Sequence, residues 1–325
     1  MYQTAAEQIN SKIIQSESSA NATKNYNPRA TYVSKQMLSY IDHSFGENLF
    51  ASAGSCVQLW NYERSVPLQT FEWEAVDSIT KLKFNPSQHH VLGAVGTDRS
   101  ICLYDIRANT PINKIYLKNK SSAFCWNPQE PMNFVVGNEN SNCYTFDMRK
   151  PEQAKIIHKD HVNAVLDIDF APTGKEFVAA SFDKTIRIFK ANDGRSREVY
   201  HTKRMQQVTS ILYSMDSRFI WSGSEDTNIR LWKAQAADPL KMLLPREKES
   251  LAEAEKLKKK YKYNSEIKRI QRHRHLPAAI KKKKGILHIQ RMSRKRKDDN
   301  MRANNRPEDR PFIPNRTKDM DSKFE

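Results

Sequence analysis

Five stretches of this chain close in the same way, and the interval between them fixes most of what the chain can become. They are "GSCVQLW" ending at Trp60, "DRSICLY" at Tyr104, "NSNCYTF" at Phe146, "DKTIRIF" at Phe189 and "DTNIRLW" at Trp232, so the closing aromatics lie 44, 42, 43 and 43 residues apart. A period in this range marks a repeat whose single unit cannot bury its own apolar face and must stack on its neighbours. Within a unit such as "SILYSMDSRFIWSGSEDTNIRLW", alternation of apolar and polar residues writes a strand, a polar turn, a second strand, a tight acidic turn and a third strand.

Three strands in order are three of the four that a propeller blade needs. The Asp of the tight turn (Asp98, Asp183, Asp226) suits turn amides, and His161, 22 residues before Asp183, is placed to donate to it. The repeat resembles the WD40 β-propeller, with Trp endings at Trp60 and Trp232 and Tyr or Phe in the other three units. The expected fold class is therefore an all-β propeller over residues 39–236, followed by an α-helical basic extension. WD40 rings usually close with seven blades. Five units imply either a small ring or an incomplete one whose exposed blade faces invite a partner. Residues 1–38, rich in Ser, Asn, Gln and Lys, read as a polar, largely irregular segment and not as two further blades.

Charge divides the chain sharply. Its net of +17 comes almost wholly from residues 246–297, which hold 20 Lys and Arg against 5 Asp and Glu, a net of +15. So concentrated a cationic stretch favours polyanions, and counterion release favours nucleic acid among them. "REKESLAEAEKLKKKYK" after Pro245 reads as a helix with Glu early and Lys late, its face of Leu251, Ala254, Leu257 and Tyr261 suited to the propeller or to a neighbour. A second helix is expected from Ser265 as N-cap, with Ile267 and Ile270 inward, ending before Pro277. Lys268, Arg269, Arg272 and Arg274, then Lys281, Lys282, Lys283 and Lys284, then Arg294, Lys295, Arg296 and Lys297 are the candidate RNA-binding residues. The two later clusters also fit a nuclear address. The only aromatics of the segment are Tyr261 and Tyr263, which favours phosphate or shape contacts over base stacking. The boundaries read from composition are a basic helical domain over 237–298 and a disordered tail over 299–325, Asn- and Pro-rich with mixed charge.

Two stretches are more specific than the repeat: "SFDKTIRIF" leading into "SREVYHTKRMQ", and "IKRIQRHRHLPAAI" over 267–280. Together they resemble the nucleolar WD-repeat family with a Sof-like C-terminal domain, whose vertebrate members are also known as cullin-associated factors. The resemblance covers about residues 39–290, with the first two repeats of a seven-bladed relative lacking. It implies a non-catalytic scaffold of the small-subunit processome in the nucleolus, with processome proteins, the U3 small nucleolar RNP and pre-18S ribosomal RNA as partners.

Two consecutive repeats end as aromatic-Asp-x-Arg, "YDIR" and "FDMR", against "WNYE", "FKAN" and "WKAQ". This resembles the box by which propellers dock on the adaptor of cullin-4 ubiquitin ligases. It makes Asp105, Arg107, Asp147 and Arg149 candidate docking residues and a ligase substrate receptor the alternative function. Local Asp–Arg pairing at the blade rim is the plainer reading of the same residues. An enzyme is the weakest class, since the chain has no Gly-rich phosphate loop, G-x-S-x-G or HExxH and only 9 glycines. No cofactor or metal is expected. The N-terminus lacks the order of a secretory signal and no apolar run reaches membrane-spanning length, so an intracellular protein without membrane partners is expected. Cys56, Cys102, Cys125 and Cys143 sit in strand-like contexts without a CxxC pair, which reads as core filling.

Overall fold

The computed structural model describes residues 30–72, 78–108, 111–306, 309 and 312–320, the side chains of Pro111 and Arg272 excepted. Contacts divide the chain into Met1–Val33 and Ser34–Glu325, and every strand and helix among the described residues belongs to the second unit. Nineteen strands, β1 (Tyr40–His43) to β19 (Ile229–Lys233), form five antiparallel sheets in strict sequence order among the described residues. Sheets β1–β4, β5–β8, β9–β12 and β13–β16 have four strands, and β17–β19 has three. These are blades 1 to 5. Three helices follow: α1 (Pro245–Lys260), α2 (Ser265–Arg272) and α3 (Ala278–Asn304).

The blades hold together because each buries apolar side chains against the next. Four clusters fill the four junctions. Leu59, Phe71 and Leu82 lie between blades 1 and 2, and Ile101, Phe124 and Phe134 between 2 and 3. Ala123, Val165 and Phe177 fill the third junction, and Val178, Ile186 and Val208 the fourth. Two glycines show how close the approach is. A Cβ at Gly93 would stand 2.2 Å from the Phe124 ring of the next blade, and one at Gly137 would meet Val165 and Ile168 at 2.8 and 2.9 Å. Polar rungs repeat with the blades: Asp42 accepts from Phe84 N at 2.7 Å, and Asp169 accepts from Tyr213 N at 2.7 Å. The far face of blade 5 is different. Leu212, Trp221, Ile229 and Leu231 there are 46% or more exposed.

The tight turn between second and third strands is built alike in four blades. Arg99, Ser141, Lys184 and Thr227, each just after the turn's Asp or Asn, have positive φ between 63° and 71°. Non-glycine residues tolerate this region only where neighbours hold them there. The preceding side chain does so in three of the four, with Asp98, Asn140 and Asp183 each accepting the N–H two residues on, from Ser100, Asn142 and Thr185. Asp183 is the most heavily used of these, since it also takes the His161 ring at 3.1 Å, as expected from the sequence. Asp98 instead meets Lys114 at 3.2 Å, and Asp226 pairs with Arg230. Trp60 and Trp232 each donate their ring N–H to a serine of the preceding strand, Ser52 and Ser222, at 2.8 Å. All four cysteines are buried and unbridged. No helix among the described residues is long and apolar enough to cross a membrane.

One expectation is corrected here. Residues 299–304, assigned to a disordered tail, are the last turns of α3. Beyond them the chain returns to blade 3. Asp319 accepts from Tyr144 O–H at 2.8 Å, Lys118 N–H donates to the Asp319 carbonyl at 3.0 Å, and Met320 packs on the blade 2–3 core. A sequence poor in apolar residues is ordered by binding a surface already made, so it needs no core of its own.

Candidate nucleic-acid arm and rim sites

The helices form an arm tied to blades 3 and 4. Its first helix, α1, starts at Pro245, and Glu247 caps it by accepting from Leu244 N at 3.2 Å. No residue of α1 is buried, and Leu251 and Leu257 are about half exposed, so the apolar face expected to dock has no cover among the described residues. The cap of α2 is Asn264, which accepts from Glu266 N at 3.0 Å; the expected cap, Ser265, is the first helical residue instead. Ile267 is half-buried, whereas Ile270, expected inward, is 68% exposed.

The twelve candidate RNA-binding residues divide by role. Arg274 and Lys284 are anchors. Arg274 Nε donates to the Arg197 carbonyl on the edge strand of blade 4 at 2.6 Å, and Lys284 Nζ meets Asp160 Oδ1 at 3.1 Å. Burial pushes the Asp160 carboxyl up, but donors from the Ser196 amide and hydroxyl, with Lys284, outweigh it and hold it below the usual range. Lys268 lies half-buried over the Tyr263 ring. Arg269, Lys281, Lys282 and Lys283 are exposed, as are Arg294, Lys295, Arg296 and Lys297 on the continuation of α3. The side chain of Arg272 lies outside the described ones. At 1.5 Å per residue, the 27 residues of α3 make a rod about 40 Å long, and the Lys281–Lys284 and Arg294–Lys297 clusters occupy about 24 Å of it. Its far end is tied down by Lys318 Nζ on Asp298 at 3.1 Å. The length of α3 is what sequence reasoning missed, and Pro277 just ahead of it, reserved there only as a helix stop, also serves as its N-cap.

On the rim, the two aromatic-Asp-x-Arg endings have one geometry. Arg107 Nε and Nη2 reach the two Asp105 carboxylate oxygens at 3.2 and 3.0 Å, and Arg149 reaches Asp147 at 3.1 and 2.9 Å. The chelating guanidinium holds each Asp below its ordinary range. Both arginines are more than two-thirds exposed. The local pairing is thus present, and it fixes two planar guanidinium groups at equivalent points of neighbouring blades. No group of His, Cys, Asp and Glu suited to a metal ion occurs among the described residues.

Five stacked four- or three-stranded blades with a helical arm define a WD40-repeat propeller protein. Comparison with known proteins agrees. The WD domain, G-beta repeat profile matches residues 65–105, 153–190 and 197–233, and the Sof1-like domain profile matches 234–320. Each repeat match begins in, or three to four residues before, the last strand of one blade and ends in the third strand of the next, so one sequence unit straddles two blades and locks them together. The chain is 47% identical over 291 residues to "DDB1- and CUL4-associated factor 13" of Xenopus tropicalis, covering 90% of this chain and 65% of that protein. To the human protein of the same name the figure is 44% with the same coverage. To "Protein SOF1" of Saccharomyces cerevisiae it is 46% over 280 residues, 86% of this chain and 57% of that one. The chain belongs to the family of WD40-repeat proteins with a Sof1-like domain, and it spans a little under two thirds of the length of these relatives.

Proposed function

We propose that the protein is a non-catalytic scaffold of ribosome biogenesis. Its propeller binds small-subunit processome proteins, and its arm binds the phosphate backbone of pre-18S RNA or of U3 within the nucleolus. One observation carries the RNA part of this reading. The net +15 of residues 246–297 is spread over the arm, and nine of its twenty cations, with no carboxylate among them, lie on the long helix α3 strapped to the propeller, where they can follow a polyanion. With Tyr261 and Tyr263 its only aromatics, the arm suits backbone contacts and not base readout. The basic clusters also suit a nuclear address. The family resemblance supports the processome assignment. Crosslinking of the tagged chain to RNA in cells, followed by sequencing, is expected to recover U3 and pre-18S fragments. Recovery of bulk messenger RNA alone would refute the assignment.

The second reading is a substrate receptor of a cullin-4 ligase, favoured by the twin Arg107 and Arg149 chelates and by relatives named for association with DDB1 and CUL4. The two roles use separate surfaces and can coexist.

A further inference from the structure

Between blade 4 and the arm lies a cavity of about 750 Å³. Its lining holds six cations, Arg187, Lys190, Arg195, Arg197, Arg274 and Lys284, against two carboxylates, Asp160 and Asp193. Asp160 is already engaged by Ser196 and Lys284, and Arg197 is neutralised by Glu176 and Glu198. Arg187 is the telling member. It is 2% exposed, yet its guanidinium makes one hydrogen bond, Nη1 to Ser196 Oγ at 3.3 Å, and its buried Nε and Nη2 have no partner. A buried guanidinium with two idle donors is costly unless something accepts from it. Lys190 and Arg195 stand exposed at the same cavity with no ion pair among the described residues. The lining has no Phe, Tyr or Trp to stack a base.

We propose that this cavity is a phosphate-group site, in which the planar Nε–Nη2 edge of Arg187 receives two phosphate oxygens and Lys190 and Arg195 close over them. Arg–phosphate pairing of this two-pronged kind is the strong and directional form. The favoured source is an RNA backbone, because Lys284 at the cavity continues directly into the exposed Lys281–Lys283 cluster of α3. That choice of source rests on the RNA reading above, whereas the phosphate site itself does not.

The test uses the full chain with two probes, inorganic pyrophosphate followed by thermal shift and a short labelled single-stranded RNA followed by anisotropy. Pyrophosphate is expected to raise the melting temperature of the wild type and to leave Arg187→Gln unchanged. Lys190→Ala/Arg195→Ala is expected to weaken RNA binding about tenfold and to lower the log–log salt slope by about 1.4, at roughly 0.7 per lost single-strand contact. Lys203→Ala, an exposed charge outside the lining, is the control and should lower the slope less. Should Arg187→Gln fail to fold, the exposed pair still decides, since it has no structural bonds to lose. Pyrophosphate protection that needs the cavity residues, with RNA binding indifferent to them, keeps the site and removes RNA as its source. If RNA binds wild type and double variant alike and pyrophosphate protects neither, the cavity is not a phosphate site, while the RNA reading of the arm stands.

Discussion

Replacing Asp183 by Ala tests what holds a blade turn in place. Its carboxylate accepts four hydrogen bonds: from the His161 ring at 3.1 Å, Val162 N at 3.2 Å, Thr185 N at 2.9 Å and Thr185 Oγ1 at 2.5 Å. Asp183 is 8% exposed and His161 3%. The substitution leaves two backbone N–H groups and a ring N–H without acceptors, each costing about 1–3 kcal/mol when buried. Partial relaxation brings the expected loss to about 3–5 kcal/mol, a large share of the roughly 5–15 kcal/mol by which domains are stable. Asp226→Ala is the comparison, because the same turn position there is partly open to water and its carboxylate pairs with Arg230, Ser224 and Asn228 without a buried backbone N–H or ring donor to orphan among the described residues. It is expected to cost much less. Urea unfolding followed by tryptophan fluorescence reads both. Equal midpoints for the two variants would refute the claim that the buried His161–Asp183 bond anchors the turn.

Three other outcomes follow from the same geometry. Burial pushes the His158 imidazole down to about 4 from 6.5, despite its bond to the Asp193 carbonyl, so the unfolded chain binds the extra proton first. Stability from this residue should be complete above about pH 6.5 and drain away as pH falls toward 4, a loss of about 3 kcal/mol that denaturation of His158→Gln should lack. Arg107→Ala/Arg149→Ala should leave the melting temperature unchanged, both side chains being exposed, while abolishing capture of purified DDB1; undiminished capture would remove the ligase reading. Tyr144→Phe deletes the donor to Asp319, and limited proteolysis should then cut the 312–320 segment faster while the propeller stays intact.

The blades were legible because their signals are local and repeated. A period of about 43 residues, alternation within each unit and an Asp at the tight turn all belong to one stretch of chain, and even the 22-residue link from His161 to Asp183 stays within a unit. The arm was only half legible. Its charge is a matter of composition, but the contacts that order it join residues 124 and 175 positions apart, as in Lys284 with Asp160 and Asp319 with Tyr144. No pattern in 299–325 announces such docking, so low hydropathy reads as disorder. The helix of 27 residues was hidden by Gly285 and by runs of like charge, both of which weaken a helix in isolation. Of the site residues, Arg187 escaped notice because an Arg in an alternating strand reads as solvent-facing. Only the fold shows that position buried.

The central claim is that the arm's exposed charge carries the protein to its RNA. The most direct measurement is recovery of U3 RNA from nuclear extract by the tagged full chain and by a variant with Lys281, Lys282, Lys283, Arg294, Lys295, Arg296 and Lys297 all changed to Gln. Arg274 and Lys284 are kept, so the arm stays anchored. Loss of U3 with processome proteins still retained on the propeller is the predicted result. Equal U3 recovery by both chains would contradict it and place the RNA contact elsewhere.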